Sequence, residues 1–169
     1  MQTCPNGIKK TYIVSTPRSG HHLLVRGLEA AANHKLVYSE NYNCKHNFTT
    51  CDFVNLQKDH DFELDLDISK EFKYVVLWRP QAESLHAWYN ATESNISLSK
   101  FIKKNGNYFD RFAEKWLKSE LPNVSIFFYA DWIQHKRKTV KRICSIMGIN
   151  PDLEKLFQWE LDEDYLRKR

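Results

Sequence analysis

The sequence predicts a single α/β domain built around a mainly parallel sheet, and three observations support this. Runs of β-branched and aromatic residues alternate with stretches whose apolar residues recur at helical spacing. Residues 74–78 and 124–129 are apolar almost without interruption, as is typical of parallel strands buried on both faces. The length of 169 residues suits one domain, which we assign to residues 1–169. We therefore expect a three-layer sandwich with helices on both faces of the sheet.

The first third of the chain predicts a strand, a helix, a second strand and a loop. Residues 11–15 (TYIVS) form the expected first strand. The apolar spacing of residues 20–33 predicts a helix that stops at Asn33-His34. Residues 35–38 predict a short second strand. Residues 41–61 are polar and aromatic without any period, so we interpret them as an irregular loop that covers a site.

The middle of the chain predicts a buried strand followed by three helices. The strand is residues 74–78 (YVVLW), and Pro80 after it marks a turn into a helix over residues 81–90. Two further helices are expected at residues 98–104 and 108–119.

The last part of the chain predicts one more buried strand and two helices. The strand is residues 124–129 (VSIFFY). Asp131 can cap the helix that follows, and Gly148 can end it. Pro151 is expected to begin a last, short helix. Because strands alternate with helices, ligands are expected at the carboxyl ends of the strands.

Residues 16–24 (TPRSGHHLL) join the first strand to the first helix and carry the most informative pattern of the chain. The first amides of a helix lack internal partners and carry partial positive charge, so a strand, a tight turn and a helix start form a site for an anion. The guanidinium of Arg18 adds a planar fork suited to phosphate or sulfate. The residues expected to bind such a group are Arg18, Ser19, Gly20, His21 and His22.

This loop differs from the phosphate loop of metal-dependent ATP and GTP sites. That loop needs a lysine and a hydroxyl residue directly after its last glycine, the hydroxyl binding Mg²⁺. His21 and His22 occupy those positions here. The cysteines of the chain form no CxxC pair, and their spacing fits no standard zinc scheme. We therefore expect no metal in this site.

The loop resembles the 5′-phosphosulfate loop of sulfotransferases that use 3′-phosphoadenosine 5′-phosphosulfate (PAPS). Residues 16–20 match the T-P-R-S-G of that family, whereas His21 and His22 replace its usual hydroxyl residues. Imidazole N–H groups can also donate to a phosphate. The resemblance implies a P-loop NTPase-like sulfotransferase fold, PAPS as sulfuryl donor, 3′,5′-adenosine bisphosphate (PAP) as product, and no requirement for metal.

A second arginine stands where a strand is predicted to end. Arg79 follows residues 74–78 and precedes the turn at Pro80, an arrangement similar to that of Arg18. The segment resembles the 3′-phosphate motif of the same family, with the aromatic pair Trp88-Tyr89 in place. Ala87 stands at the family's usual serine position, and Ser84, one helical turn earlier, is the candidate substitute.

The resemblance runs in order through most of the chain. It continues through the helical stretch that ends at Trp116, the Tyr129-Ala130-Asp131-Trp132 sequence after the last strand, and Met147-Gly148-Ile149.

The proposed chemistry needs a base for the acceptor and positive charge for the leaving group. Arg18 would hold the leaving phosphate. Glu40 follows the predicted second strand and matches the family branch that uses a glutamate at this distance, so it is the predicted catalytic base. His46 and His60 are rivals, because other branches use a histidine.

The sequence thus predicts transfer of a sulfuryl group from PAPS to a hydroxyl or amine acceptor, a small molecule or a glycan. One alternative is a small nucleotide-dependent phosphotransferase, which would require Mg²⁺ and prefer ATP. Another is a non-catalytic nucleotide-binding member of the fold, suggested by His21, His22 and Ala87.

The composition of the chain limits the classes of partner that it is expected to bind. A net charge of +4 is too small to indicate nucleic-acid binding, and no apolar run is long enough for a membrane span. The basic run at residues 135–142 is most simply a solvated helix face. No targeting segment is recognisable, which predicts a cytoplasmic protein; four N-x-[ST] sequons, starting at Asn47, Asn90, Asn95 and Asn123, leave the Golgi lumen as the alternative. No pattern indicates an oligomeric state.

Overall fold

A five-stranded, entirely parallel sheet forms the centre of the computed structural model, which describes residues 7–33, 36–40, 54–92 and 95–167. The strand order is β2-β3-β1-β4-β5, so both β3 and β4 pair with β1. The strands are β1 (Thr11–Ser15), β2 (Tyr38–Glu40), β3 (Leu56–Asp59), β4 (Lys73–Trp78) and β5 (Val124–Phe128).

Six α-helices flank this sheet within the described ranges, and none of them is long and apolar enough to cross a lipid bilayer. They are α1 (His21–Ala31), α2 (Gln81–Ala91), α3 (Leu98–Phe112), α4 (Tyr129–Gln134), α5 (Lys136–Met147) and α6 (Leu153–Arg167). A π-helical segment, Ala113–Leu117, continues α3.

Side chains alternate across the strands and create two apolar layers. Ile13 of β1 and Leu77 of β4 pack with buried residues of α1, α5 and α6 on one face. Tyr12 and Val76 point the other way and pack against Phe112 of α3 and the π-helical segment after it. The predicted three-layer α/β architecture is therefore confirmed.

The strand β3 corrects the prediction of one irregular loop over residues 41–61; of that stretch the structure describes residues 54–61. β3 lies between β1 and β2 as an internal strand of the sheet. Its sequence, LQKD, lacks the apolar run of β4, yet Gln57 and Lys58 are only 5% and 2% exposed. The local sequence therefore did not indicate a strand. β3 forms because it pairs with β1, in spite of its polar composition.

Two other boundaries differ from the prediction. The second strand begins at Tyr38 rather than residue 35, which lies outside the described residues. Residues 98–104 and 108–119 were predicted as separate helices, but α3 runs through the Asn-Gly-Asn between them. Asn105 Nδ2 donates to the Phe101 carbonyl at 2.9 Å, and Gln81 Nε2 donates to the Gly106 carbonyl at 3.3 Å. These bonds support the helix where its propensity is weakest.

The C-terminal third also differs in detail. Asp131 lies inside α4 instead of capping the long helix, and His135 precedes α5. Gly148 ends α5 in the left-handed region at φ 77°, as predicted. The last helix is not short: α6 spans 15 residues, and Asp152 accepts a hydrogen bond from the Lys155 amide at 3.1 Å.

Substituting Gly27 tests the packing of α1 against α5 and α6. A Cβ at this position would lie 2.8 Å from Trp159 and 2.9 Å from Val140. Gly27→Ala is therefore expected to lower the free energy of unfolding by about 1–3 kcal/mol, measured by urea denaturation. Gly106→Ala in α3 is the control, because its Cβ would meet only the flexible Gln81 amide, at 3.2 Å; it should change stability by less than about 1 kcal/mol. Equal losses would contradict the packing account.

Candidate functional site

A cavity of about 630 Å³ opens at the carboxyl edge of the sheet. Its walls include Arg18 after β1, His60 after β3, Arg79 after β4 and Tyr129 after β5. Four strand ends thus contribute residues to one cavity, which is the usual position of a ligand in a parallel α/β sheet.

The loop after β1 depends on two residues with positive φ. Arg18 has φ 61° and Gly20 has φ 79°. At Gly20 a Cβ would lie 2.9 Å from Nε1 of Trp132, so a side chain is excluded by contact as well as by conformation. The turn leads directly into α1, whose N-terminus has no side-chain cap. A helix N-terminus that begins in this way attracts an anion.

The hydroxyl groups of the loop and of Ser84 in α2 form hydrogen bonds with main-chain atoms. The Ser19 hydroxyl donates to the Thr16 carbonyl, and the Thr16 hydroxyl accepts a hydrogen bond from the Arg79 amide at 3.1 Å. The Ser84 hydroxyl donates to the Pro17 carbonyl. Ser19 and Ser84 are both fully buried. In this structure the two serine side chains thus tie the loop together and join it to α2, while the cavity wall is formed by their neighbours.

The two predicted arginines line the same cavity. Nη1 of Arg79 donates to the Arg18 carbonyl at 2.9 Å, and Nε faces the Glu83 carboxylate at 3.4 Å. The guanidinium also lies 4.3 Å from the centre of the Tyr129 ring. Three contacts therefore orient Arg79, and the side chain is only 19% exposed. A pre-oriented, partly desolvated guanidinium is well suited to a phosphate group.

Three histidines form one wall of the cavity. The rings of His21 and His22 have centroids 3.9 Å apart, and those of His21 and His60 are 5.4 Å apart. Burial is the main cause, and the nearby groups Lys58, His22, His60 and Arg18 add to it; together they lower the pKa of His21 from 6.5 to about 2. His21 is thus neutral at physiological pH and offers one N–H donor.

The lowered pKa of His21 predicts a loss of stability in acid. Below pH 6.5 the unfolded chain binds a proton at this histidine and the folded chain does not, so acid favours unfolding. The contribution reaches about 2 kcal/mol at pH 5. Urea unfolding at pH 7.5 and pH 5 should show a smaller decrease for His21→Gln than for the parent chain. His86→Gln, at an exposed histidine of α2, is the control and should leave the decrease unchanged. A parallel decrease in His21→Gln would contradict this account.

His60 is held in one tautomer. Its Nδ1 lies 2.5 Å from the Ser15 carbonyl oxygen and 3.3 Å from the Ser15 hydroxyl. A carbonyl only accepts, so we assign the proton to Nδ1, which leaves Nε2 unprotonated in the neutral ring. That is the form that a general base requires.

The chain after His60 is anchored by a buried carboxylate. Asp61, at φ 47°, accepts hydrogen bonds from Lys115 Nζ at 2.7 Å and Trp116 Nε1 at 2.8 Å. Its other oxygen accepts from the Leu66 amide at 2.9 Å. The Tyr108 hydroxyl donates to the His60 carbonyl at 2.5 Å. These hydrogen bonds from α3 and its π-helical continuation therefore fix the positions of His60 and Phe62.

Two aromatic rings continue the wall beyond His60. The Phe62 ring lies 5.0 Å from the His60 ring and is stacked with Trp88, at 5.6 Å between centroids. Phe62 is 41% exposed, although it is large and apolar. Both rings line the cavity, next to His60.

The remaining predicted residues lie as follows. The backbone of Glu40 ends β2, an edge strand separated from β1 by β3, and its side chain is outside the described part of the structure. His46 is outside the described residues altogether. Ala87 lines the cavity on α2. Glu40 as base thus stays a prediction.

Sequence reasoning missed Arg26, which also lines the cavity. Its guanidinium is 59% exposed and lies 2.9 Å from the Glu163 carboxylate of α6. Because His22 and Arg26 are four residues apart in α1, helical spacing could have placed them on one face. Phe62 and Tyr129 carried weaker signals. Phe62 follows a strand with no pattern of its own, and Tyr129 was noticed only within the family resemblance.

Comparison with known proteins identifies the fold. No family model matches the sequence, and no curated protein sequence matches it. Among solved structures, mouse sulfotransferase SULT7A1 complexed with PAP is similar at a TM-score of 0.62 and 13% identity, over 89% of this chain and 63% of that one.

Two further sulfotransferase-fold structures are similar. Retinol dehydratase in complex with androsterone and PAP gives a TM-score of 0.59 and 14% identity, over 94% of this chain and 64% of that chain. A sulfotransferase from Alicyclobacillus acidocaldarius gives a TM-score of 0.54 and 11% identity, over 86% of this chain and 84% of that chain. The chain therefore has the sulfotransferase fold, and it spans about 63% to 64% of the length of the first two proteins.

Proposed function

We propose that this protein is a PAPS-dependent sulfotransferase that acts on a hydroxyl or amine acceptor. The observation that carries the proposal is that Arg18 and Arg79 line one cavity. Each follows the carboxyl end of a strand, at the same edge of the sheet. A ligand with two separated anionic groups matches two such arginines, and PAPS is one. The structural neighbours that contain PAP support the same ligand class.

The cavity fits the donor in size and charge. A volume of about 630 Å³ is within the range of small-molecule sites. Arg18 and the first amides of α1 would bind the phosphosulfate end, and Arg79 would bind the 3′-phosphate. The nucleotide itself supplies the sulfuryl group and the leaving phosphate. The imidazole N–H groups of His21 and His22, at the start of α1, are proposed as donors to that phosphate.

His60 is our candidate for the base. Its unprotonated Nε2 would take the proton of the acceptor hydroxyl while the acceptor oxygen forms a bond to sulfur. The bond between sulfur and the bridging phosphate oxygen breaks, and its electron pair stays with that oxygen, beside Arg18. The products are the sulfated acceptor, PAP and a proton on His60. β3 is adjacent to β1, which supports His60 over the predicted base Glu40 on the edge strand.

Thermal-shift measurements without metal test the donor. PAP at one hundred times its Kd should stabilise the protein by about 2.7 kcal/mol, which corresponds to several degrees in Tm. AMP lacks the 3′-phosphate and should stabilise the protein less at the same concentration. Stabilisation by ATP equal to or greater than that by PAP would favour the phosphotransferase alternative.

Turnover tests the reaction. PAP release from PAPS is expected to accelerate when a simple phenol is supplied as acceptor, and the sulfated phenol should form in equal amount. PAP binding without any transfer across a panel of phenols, sugars and amines would instead favour the non-catalytic alternative, in which Ala87 replaces a serine hydroxyl.

A further inference from the structure

A second cavity, of about 440 Å³, lies along the edge of β5. It is lined by Ile126, Phe127 and Phe128, which are successive residues of one strand. Successive strand residues point to opposite faces of a sheet, so a cavity that contacts three in a row lies at the edge of the strand. β5 is the last strand in the sheet order, and its outer side has no strand partner in the described chain. We name this cavity the edge groove.

The other wall of the edge groove is basic. It contains Lys138 and Arg142, which lie four residues apart on one face of α5, and His135, which immediately precedes that helix. Among the side chains that the structure describes, in residues 7–33, 36–39, 54–92 and 95–163, no carboxylate forms an ion pair with Lys138 or Arg142. Among the described residues that line the groove, Asp131 is the one acidic residue. The basic run predicted to be a solvated face thus borders a concave surface.

The floor of the edge groove is apolar and accessible. Phe128 is 51% exposed, and the Arg142 guanidinium lies 5.0 Å from the centre of the Phe127 ring. An exposed aromatic side chain next to an open strand edge is a common feature of surfaces that bind another chain. The groove therefore combines a strand edge that has no neighbouring strand in the described chain, an apolar floor and a row of positive charges.

We propose that the edge groove binds an extended acidic segment of a partner protein, which adds to β5 as a further strand. The positive charges of α5 select Asp and Glu side chains, and the main chain of β5 recognises the backbone of the segment. An acidic glycan would satisfy the charges but has no amide groups to pair with a strand edge. This is why the open edge favours a peptide.

The edge groove is separate from the candidate active site. Tyr129 of α4 lines the nucleotide cavity, whereas Trp132, three residues later, lines the edge groove. Since no residue lines both cavities, loss of peptide binding and loss of nucleotide binding are separable. The proposal stands whether or not the protein transfers sulfuryl groups.

Fluorescence anisotropy with a labelled peptide of alternating Asp and Val tests the charge recognition. The double variant Lys138→Gln/Arg142→Gln should bind it about tenfold more weakly at low salt. The matched control is Lys100→Gln/Lys104→Gln, two exposed lysines at the same spacing on α3, and it should bind as the parent chain does. Equal binding by the groove variant, or equal binding of an Asn-Val peptide by the parent chain, would overturn the proposal. The far-UV circular dichroism spectrum and the Tm of both variants should match those of the parent chain, which shows that they are folded.

Backbone recognition has its own test. In strand pairing only every second residue of the added segment bonds to the edge. Of two Asp-Val peptides, N-methylated at odd or at even positions, one should therefore bind about tenfold more weakly than the other. Equal binding of both would exclude strand addition, as would a heparin tetrasaccharide that binds as tightly as the peptide and competes with it.

Discussion

His60→Asn is expected to lower kcat for sulfuryl transfer by about 10²- to 10⁴-fold and to leave PAP affinity within about threefold. The amide of asparagine can take the place of Nδ1 and donate to the Ser15 carbonyl, so the wall of the cavity is retained. No atom then stands in place of Nε2, and the acceptor proton has no base. PAP release in the presence of a simple phenol gives kcat, and titration calorimetry gives the PAP affinity.

Glu40→Gln is the companion variant, because it removes the base predicted from the sequence and keeps the size of the side chain. It should retain most of the turnover if His60 is the base. The pH profile gives a second criterion, since the low-pH limb of kcat/KM should be kept in Glu40→Gln and lost from the residual activity of His60→Asn. Normal turnover in His60→Asn together with inactive Glu40→Gln would return the role to Glu40.

The parts of the fold that were predicted correctly are those in which local sequence and tertiary environment agree. Residues 74–78 are apolar because both faces of β4 are covered, so their composition alone indicates most of that strand. Residues 124–129 are similarly apolar and include all of β5, although this strand is less buried and its last residue, Phe128, is 51% exposed. Gly148 ends α5 because the left-handed conformation strongly favours glycine. In such places a local rule is sufficient.

β3 shows the opposite case. Gln57 and Lys58 are buried by neighbouring strands and helices that are distant in the chain, and no local pattern encodes that burial. Because β3 was missed, so was the position of His60 beside β1, although His60 had been considered as a base. The site could be predicted where a motif follows a recognisable strand, as at Arg18 and Arg79. It could not be predicted where long-range strand pairing forms it, as at His60, which follows β3 and lies beside β1 only because those two strands pair.

Arg79→Gln is expected to weaken PAP binding by about 30- to 1000-fold, the usual cost of removing one member of a desolvated charge pair. The guanidinium is oriented by the Arg18 carbonyl, Glu83 and Tyr129, and within the described residues its Nη2 forms no hydrogen bond. That nitrogen is the donor that we assign to the 3′-phosphate. AMP lacks this phosphate, so its affinity should change by less than about threefold.

Arg137→Gln is the matched control, because Arg137 also pairs with a carboxylate, Glu160, and lies over an aromatic ring, Phe157, but is outside the cavity. It should bind PAP and AMP as the parent chain does. Arg18→Gln should weaken both ligands, because both carry the 5′-phosphate that we assign to Arg18. If Arg79→Gln instead weakened AMP as much as PAP, the effect would come from a disturbed loop, since Arg79 also bonds to the Arg18 carbonyl. The 3′-phosphate would then bind elsewhere, and the assignment of the two arginines to opposite ends of one nucleotide would be wrong.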